Sequence, residues 1–237
     1  MVNHEFDGPE AEQLVVTRVE RRSTNPATYD IYLNDRFACT VHEETLIALK
    51  LLKGNVLERE DLARIEREER ICDAYNRAIR WLGRRPHARR EIERKLLKLG
   101  VEEETAGIVL DRLRRERLLD DQAYAEQLTD YRIRTQKKGR RWVRYELTQK
   151  GLAAEHIEAA LRSIDPALEY EQALQLGRKK WSQTSGDMNA RKRKTADYLM
   201  RRGFPAHIAA KVVRSCASGE DALEDIRENH PFEDNNV

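Results

Sequence analysis

No Cys-x-x-Cys pair occurs in this 237-residue sequence, and its three cysteines, Cys39, Cys72 and Cys216, are odd in number and far apart. That pattern argues against a disulfide framework and against a cysteine-based zinc site, and it suits a reducing, cytoplasmic setting. No run approaches the ~20 apolar residues that a membrane-spanning helix needs. The opening residues Met1-Val2-Asn3-His4-Glu5-Phe6-Asp7 lack the basic and apolar regions of a signal peptide, so no export is expected. Catalytic signatures are missing too. There is no HExxH, no GxxxxGKS or GxxxxGKT loop and no GxGxxG, and the histidines are dispersed. Metalloprotease, NTPase and dinucleotide chemistry have no foothold, so the chain reads as a non-enzyme without metal or cofactor. Aromatic residues are 6% of the sequence against 36% charged. That balance fits amphipathic helices with solvated faces better than the thick core of a compact enzyme.

What the sequence does have is charge, unevenly placed. Residues 1–70 carry 10 Lys/Arg against 15 Asp/Glu, a net of −5. Residues 71–217 carry 33 against 20, a net of +13, and residues 218–237 carry 1 against 7, a net of −6. The overall +2 hides a basic middle between acidic ends. Such a middle points to a polyanion or an acidic protein surface as partner.

The first 57 residues read as a small β-rich extension. Leu14 to Val19 has strand composition, and in Tyr29 to Leu33 apolar and polar residues alternate. Asn34-Asp35 suits a tight turn into a third strand, Phe37 to Val41. Leu46, Ile47, Leu49, Leu51 and Leu52 predict a short helix stopped near Gly54. A long helix from about residue 58 to Leu82 follows, ended by Gly83.

From there the chain repeats itself. Leu96 to Val101, Leu147 to Leu152 and Leu199 to Phe204 each place Leu four residues before Gly, with an apolar residue after it. Nine residues beyond that apolar residue stand Leu110, Leu161 and Val213, and twelve beyond it Leu113, Ile164 and Cys216. The glycines lie 51 and 52 residues apart, a period that marks an internal repeat. In each copy a helix ends at the glycine, the next apolar residue folds back onto it, and a second helix carries positions nine and twelve. A third helix precedes each pair, over roughly 60–83, 121–136 and 166–182. Asp120 and Asp165 are suitable N-caps, and Pro166 suits a first helical position. The expected architecture is mostly α: three tandem three-helix repeats over 58–119, 120–165 and 166–217, forming an elongated body. The small antiparallel sheet precedes them and an acidic tail, 218–237, follows, read as a short helix and a frayed end.

The second repeat carries the most distinctive run. Leu118-Leu119-Asp120-Asp121-Gln122-Ala123-Tyr124-Ala125 is followed by Tyr131-Arg132-Ile133-Arg134, then by Lys137-Lys138-Gly139-Arg140-Arg141-Trp142-Val143-Arg144-Tyr145-Glu146-Leu147 and Gln149-Lys150-Gly151-Leu152. This resembles the RecX family of bacterial regulatory proteins over about residues 70–216, and the N-terminal extension looks like that of Gram-positive-type members. The resemblance implies a curved helical body that binds the RecA recombinase filament on DNA, in its helical groove. It also implies suppression of RecA's ATPase, strand-exchange and coprotease activities, hence a role in recombination, repair and the SOS response. Repeat one departs from the pattern at Leu99, at Ile92 and in the segment Arg85-Pro86-His87-Ala88-Arg89-Arg90. Repeat three adds the basic run Arg191-Lys192-Arg193-Lys194.

The candidate contacts to RecA or DNA are Arg132, Arg134, Lys137, Lys138, Arg140, Arg141, Arg144 and Lys150, joined by Arg191, Lys192, Arg193 and Lys194. Lys137 to Arg141 fall at a helix junction, where amides at the N-terminus of the next helix would add positive potential and complete a cradle for phosphates or carboxylates. Such contacts bind with strong salt dependence and little sequence preference. Trp142 and Tyr145 read as core residues, with base stacking as the alternative. Asp120-Asp121 reads as a helix cap rather than a metal site. Arg201-Arg202 belong with the Arg191–Lys194 group, and Arg84, Arg85, Arg89, Arg90 and Arg94 form a third basic group. A monomer that regulates RecA is the leading expectation. A stand-alone protein binding single- or double-stranded DNA without sequence preference is the alternative.

Overall fold

A computed structural model describes residues 13–229 of the chain, and the side chains of residues 13–219. The fold divides between Leu119 and Asp120 into two compact units.

The first unit opens with strands β1 (Leu14–Arg21), β2 (Thr28–Leu33) and β3 (Arg36–His42). Asn34 and Asp35 join β2 to β3 with φ of 47° and 64°. That is the left-handed turn a two-residue hairpin requires, and Asn and Asp tolerate it better than other side chains. Helix α1 (Glu43–Ala48) follows, and a two-residue strand β4 (Val56–Leu57) completes an antiparallel sheet of order β3-β2-β1-β4. The short helix starts and ends earlier than its leucines predict. Two glutamates occupy its first turn, and Lys50 just beyond it takes a positive φ of 51°, which turns Leu51 into the core instead of continuing the helix. Strand β4 is too short to show an alternating pattern.

Val16, Ile31, Leu33, Ala38 and Val41 of the sheet are fully buried, in a core that Leu62 and Ile65 of α2 (Arg59–Leu82) enter. Farther along α2, Ile71, Ala74, Tyr75 and Ala78 enter a second core with Ile92 and Leu96 of α3 (Arg89–Lys98) and Val109, Leu110 and Leu113 of α4 (Glu103–Arg115). One helix therefore serves the sheet with its first turns and a three-helix unit with its last. Arg112 of α4 ties the two cores together. It donates to Glu44 of α1 at 2.8 Å and to Glu116 at 2.9 Å, and its guanidinium lies 3.9 Å from the centre of the Tyr75 ring.

The second unit holds α5 (Asp121–Asp130), a π-helical turn (Tyr131–Thr135), α6 (Arg140–Gln149), α7 (Ala154–Arg162), α8 (Pro166–Ser182), α9 (Met188–Arg201) and α10 (Ala206–Asn229). Asp120 and Asp165 cap α5 and α8, accepting from Ala123 N at 2.9 Å and Ala167 N at 2.8 Å. The reading of Asp120 as a cap therefore holds. The helix expected over 121–136 contains an extra residue in its last turn, where Gln136 N bonds the Tyr131 carbonyl at 3.3 Å. Tyr124, Ile133, Val143, Leu147, Ile157 and Leu161 are buried among the first three helices. Trp181, Leu199, Phe204, Val212, Val213 and Cys216 form the core of the last three. The positions nine and twelve beyond the apolar residue that follows each repeat glycine are all buried, as are Leu96, Leu147 and Leu199 ahead of them. Of the expected acidic tail, α10 carries the backbone to Asn229, while residues 230–237, like Met1 to Asp7, lie outside the described residues.

Candidate functional site

The junction between α6 and α9 is built on two glycines in contact. A Cβ on Gly139 would lie 2.3 Å from the carbonyl carbon of Gly203, and one on Gly203 would lie 2.4 Å from Trp142 N. Only residues without side chains let these backbones meet. Gly139 N then donates to the Arg202 carbonyl and Arg141 N to the Gly203 carbonyl, both at 3.0 Å. Arg140 N donates to Glu169 Oε1 at 3.0 Å. The first amides of α6, expected to help hold an external anion, are thus already bonded to acceptors of the chain itself. Arg202 locks the approach to the helix, its Nη2 donating to the carbonyls of Gln136 at 2.5 Å and Lys137 at 3.2 Å.

The candidate cations fall into two groups. Arg132 forks onto Glu146, with Nε to Oε2 at 2.6 Å, and this hydrogen bond holds the Glu146 carboxyl below its usual range. Arg140 Nε lies 2.7 Å from Oε2 of Glu169, whose side chain is 1% exposed. Arg134 pairs with Asp130 and Arg144 with Glu158, both in the open. Arg191 stacks 4.6 Å from the Trp181 ring centre and donates to the Trp181 carbonyl. Lys150 lies 5.8 Å from the centre of the Tyr124 ring, and Lys194 reaches the Ser185 carbonyl at 3.4 Å. Lys137 donates to the neutral amide of Gln175, so this bond leaves its charge uncompensated. Lys138 sits 3.8 Å from the centre of the Trp142 ring; burial first, then the charges of Arg202 and Arg132, push its ammonium below the ordinary lysine range. Arg141, Lys192, Arg193 and Arg201 are exposed and make no ion pair among the described residues. In the first unit, the third basic group is largely engaged: Arg85 pairs with Glu91, Arg89 with Asp111 and Arg90 with Glu93.

Arg141, Trp142 and Tyr145 of α6 face Asp197, Met200 and Arg201 of α9 across an open groove of about 430 Å³, with Gly203 also in its lining. Trp142 and Tyr145 are not core residues: they are 37% and 61% exposed. The buried stripe of α6 is Val143 and Leu147, four residues apart, with Gly139 one turn before, which leaves 142 and 145 off that stripe. Sequence reasoning missed Asp197 and Met200 and set Arg201 apart from Arg141. Nothing in the repeat pattern reveals that Gly139 meets Gly203, and that contact is what brings the two arginines to one groove.

Three family models match the chain in order. The first three-helix domain of RecX covers residues 74–113, the second 120–161 and the third 168–213. The chain is 31% identical over 181 residues to Regulatory protein RecX of Limosilactobacillus reuteri (strain DSM 20016), covering 76% of this chain and 69% of that protein. It is 28% identical over 213 residues to Regulatory protein RecX of Staphylococcus aureus (strain JH9), covering 89% and 78%. Among solved structures, a crystal structure of regulatory protein RecX aligns with a TM-score of 0.75 at 28% identity, over 84% of this chain and 98% of that one. RecX from Lactobacillus salivarius aligns with a TM-score of 0.58 at 25% identity, over 63% and 98%. No described helix is long and apolar enough to cross a membrane.

Proposed function

This chain belongs to the RecX family of regulatory proteins, and on that premise we propose that it binds the RecA filament on DNA and inhibits it. The observation that carries the reading is the run of three RecX domain matches in order along the chain. The charge distribution supports it. Once internal ion pairs are set aside, the second unit retains exposed cationic groups at Arg141, Lys192, Arg193 and Arg201, beside the uncompensated Lys137. We assign Lys137, Lys192, Arg193 and Lys194 to DNA-proximal contacts, and Arg132, Arg140 and Arg191 to holding the fold. The protein acts without catalysis, as a monomer in the cytoplasm, lowering RecA's ATPase, strand-exchange and coprotease activities and so damping recombination and the SOS response.

The test is RecA ATPase on single-stranded DNA, with the chain added at stoichiometric amounts under conditions where filaments form. Turnover is expected to fall by about tenfold or more, as for occupancy of a groove that the working filament must keep free. Unchanged turnover with the chain folded and in excess would sink the reading.

A further inference from the structure

We propose that the groove between α6 and α9 docks a carboxylate-bearing, apolar-flanked segment of the partner protein, and not nucleic acid. The proposal rests on the filament-binding reading above and names the surface that reads the protein component of that filament. Charge is the first argument. Arg141 and Arg201 both line the groove and make no ion pair among the described residues, whereas Arg132, Arg134, Arg140 and Arg144 of the second repeat are paired. An unpaired guanidinium is a fork that matches one carboxylate bidentately. Against these two positive charges stands Asp197 in the same lining. A lone carboxylate there opposes a run of phosphates but accepts a peptide N–H.

The apolar lining gives the second argument. Trp142, Tyr145 and Met200 are all large and exposed. Aromatic residues, Met and Arg are the types enriched where proteins meet proteins, and thioether side chains adapt to an irregular partner. A stacking platform for bases needs open ring faces. Trp142 does not offer both of its faces, because the Lys138 ammonium lies 3.8 Å from its ring centre. The groove's volume, about 430 Å³, lies within the range of well-formed small-ligand pockets and suits one or two side chains. Its floor is set in advance, since the Gly139–Gly203 backbone contact fixes α6 against the end of α9. A preformed floor lowers the ordering cost of docking.

Two full-length variants test this, each checked for an unchanged thermal melt: Arg141→Gln combined with Arg201→Gln, and Tyr145→Ala. Each is titrated against RecA filaments on single-stranded DNA and, in parallel, against an oligothymidylate alone. The double variant is expected to bind filaments about tenfold more weakly and Tyr145→Ala about fivefold more weakly, with oligothymidylate affinity held within about threefold. Loss of oligothymidylate binding by Tyr145→Ala would give the groove to nucleic acid. Filament affinity unchanged in both variants, with the wild-type chain binding normally, would overturn the groove alone. A wild-type chain that ignores filaments would overturn the groove and the reading beneath it together.

Discussion

An Arg140→Glu chain is expected to lose about 3 kcal/mol of stability in its second unit, the lower end of the scale for breaking a buried ion pair by removing one partner, because Glu169 is buried while Arg140 is 37% exposed. Glu169 is 1% exposed, and its oxygens are met by Arg140 Nε at 2.7 Å and Arg140 N at 3.0 Å. Reversing the charge leaves a buried carboxylate facing a second carboxylate across the junction of two helical repeats. The neighbour behaves differently. Arg141 is exposed and makes no ion pair among the described residues, so Arg141→Glu is expected to change stability by no more than about 0.5 kcal/mol, the usual range for surface substitutions. Urea denaturation followed by circular dichroism separates the two. Equal, small losses would show that Glu169 finds other compensation and that Arg140 is free for a partner. Of two adjacent arginines in one basic run, the first is thus engaged inside the fold, and the second is the one proposed for binding.

Gly203→Ala is expected to be at least as damaging, at about 3–5 kcal/mol, from a left-handed conformation added to a steric clash. Its φ is +92°, and a Cβ there would sit 2.4 Å from Trp142 N and 2.9 Å from Trp142 Cα. The clash is with the backbone of α6, which no rotamer change relieves. Gly100 supplies the control. It holds the equivalent place in the first repeat with φ +79°, yet nothing lies within 4 Å of its added Cβ. Gly100→Ala is expected to lose only about 1–2 kcal/mol, the cost of the left-handed conformation alone. Denaturant melts of both variants give the comparison. If the two losses match, Gly203 acts as a helix cap and nothing more, and the close contact at the α6–α9 junction has no energetic weight.

These two residues also mark where sequence reading succeeds and where it stops. Helix ends are legible because their causes are local. Asp120 and Asp165 cap within three residues, and Gly100, Gly151 and Gly203 take the positive φ that a Gly after a leucine-bearing helix announces. The hairpin at Asn34-Asp35 is legible for the same reason. Burial at positions nine and twelve follows from helical period and repeat. Contacts between repeats leave no such trace. Gly139 stands inside a basic run and reads as a loop residue, although its absent side chain lets α6 seat on Gly203. Glu169 reads as one more acidic residue in a first helical turn, and nothing local marks it as the buried partner of Arg140. The basic cluster of repeat two was therefore legible as a cluster, while its division into paired and unpaired charges was not. Trp142 and Tyr145 show the same limit. Helical spacing places aromatics on a face, but only the packing of Val143 and Leu147 decides which face is inside.

The central claim is that this chain recognises the assembled recombinase and not DNA by itself. It is tested most directly by cosedimentation of the wild-type chain with RecA filaments on single-stranded DNA, set beside the same DNA without RecA at matched salt. Saturable binding to filaments, at least about tenfold tighter than to the bare strand, is the expected result. Equal, salt-sensitive binding with and without RecA would contradict the claim and leave a nonspecific DNA-binding protein in its place.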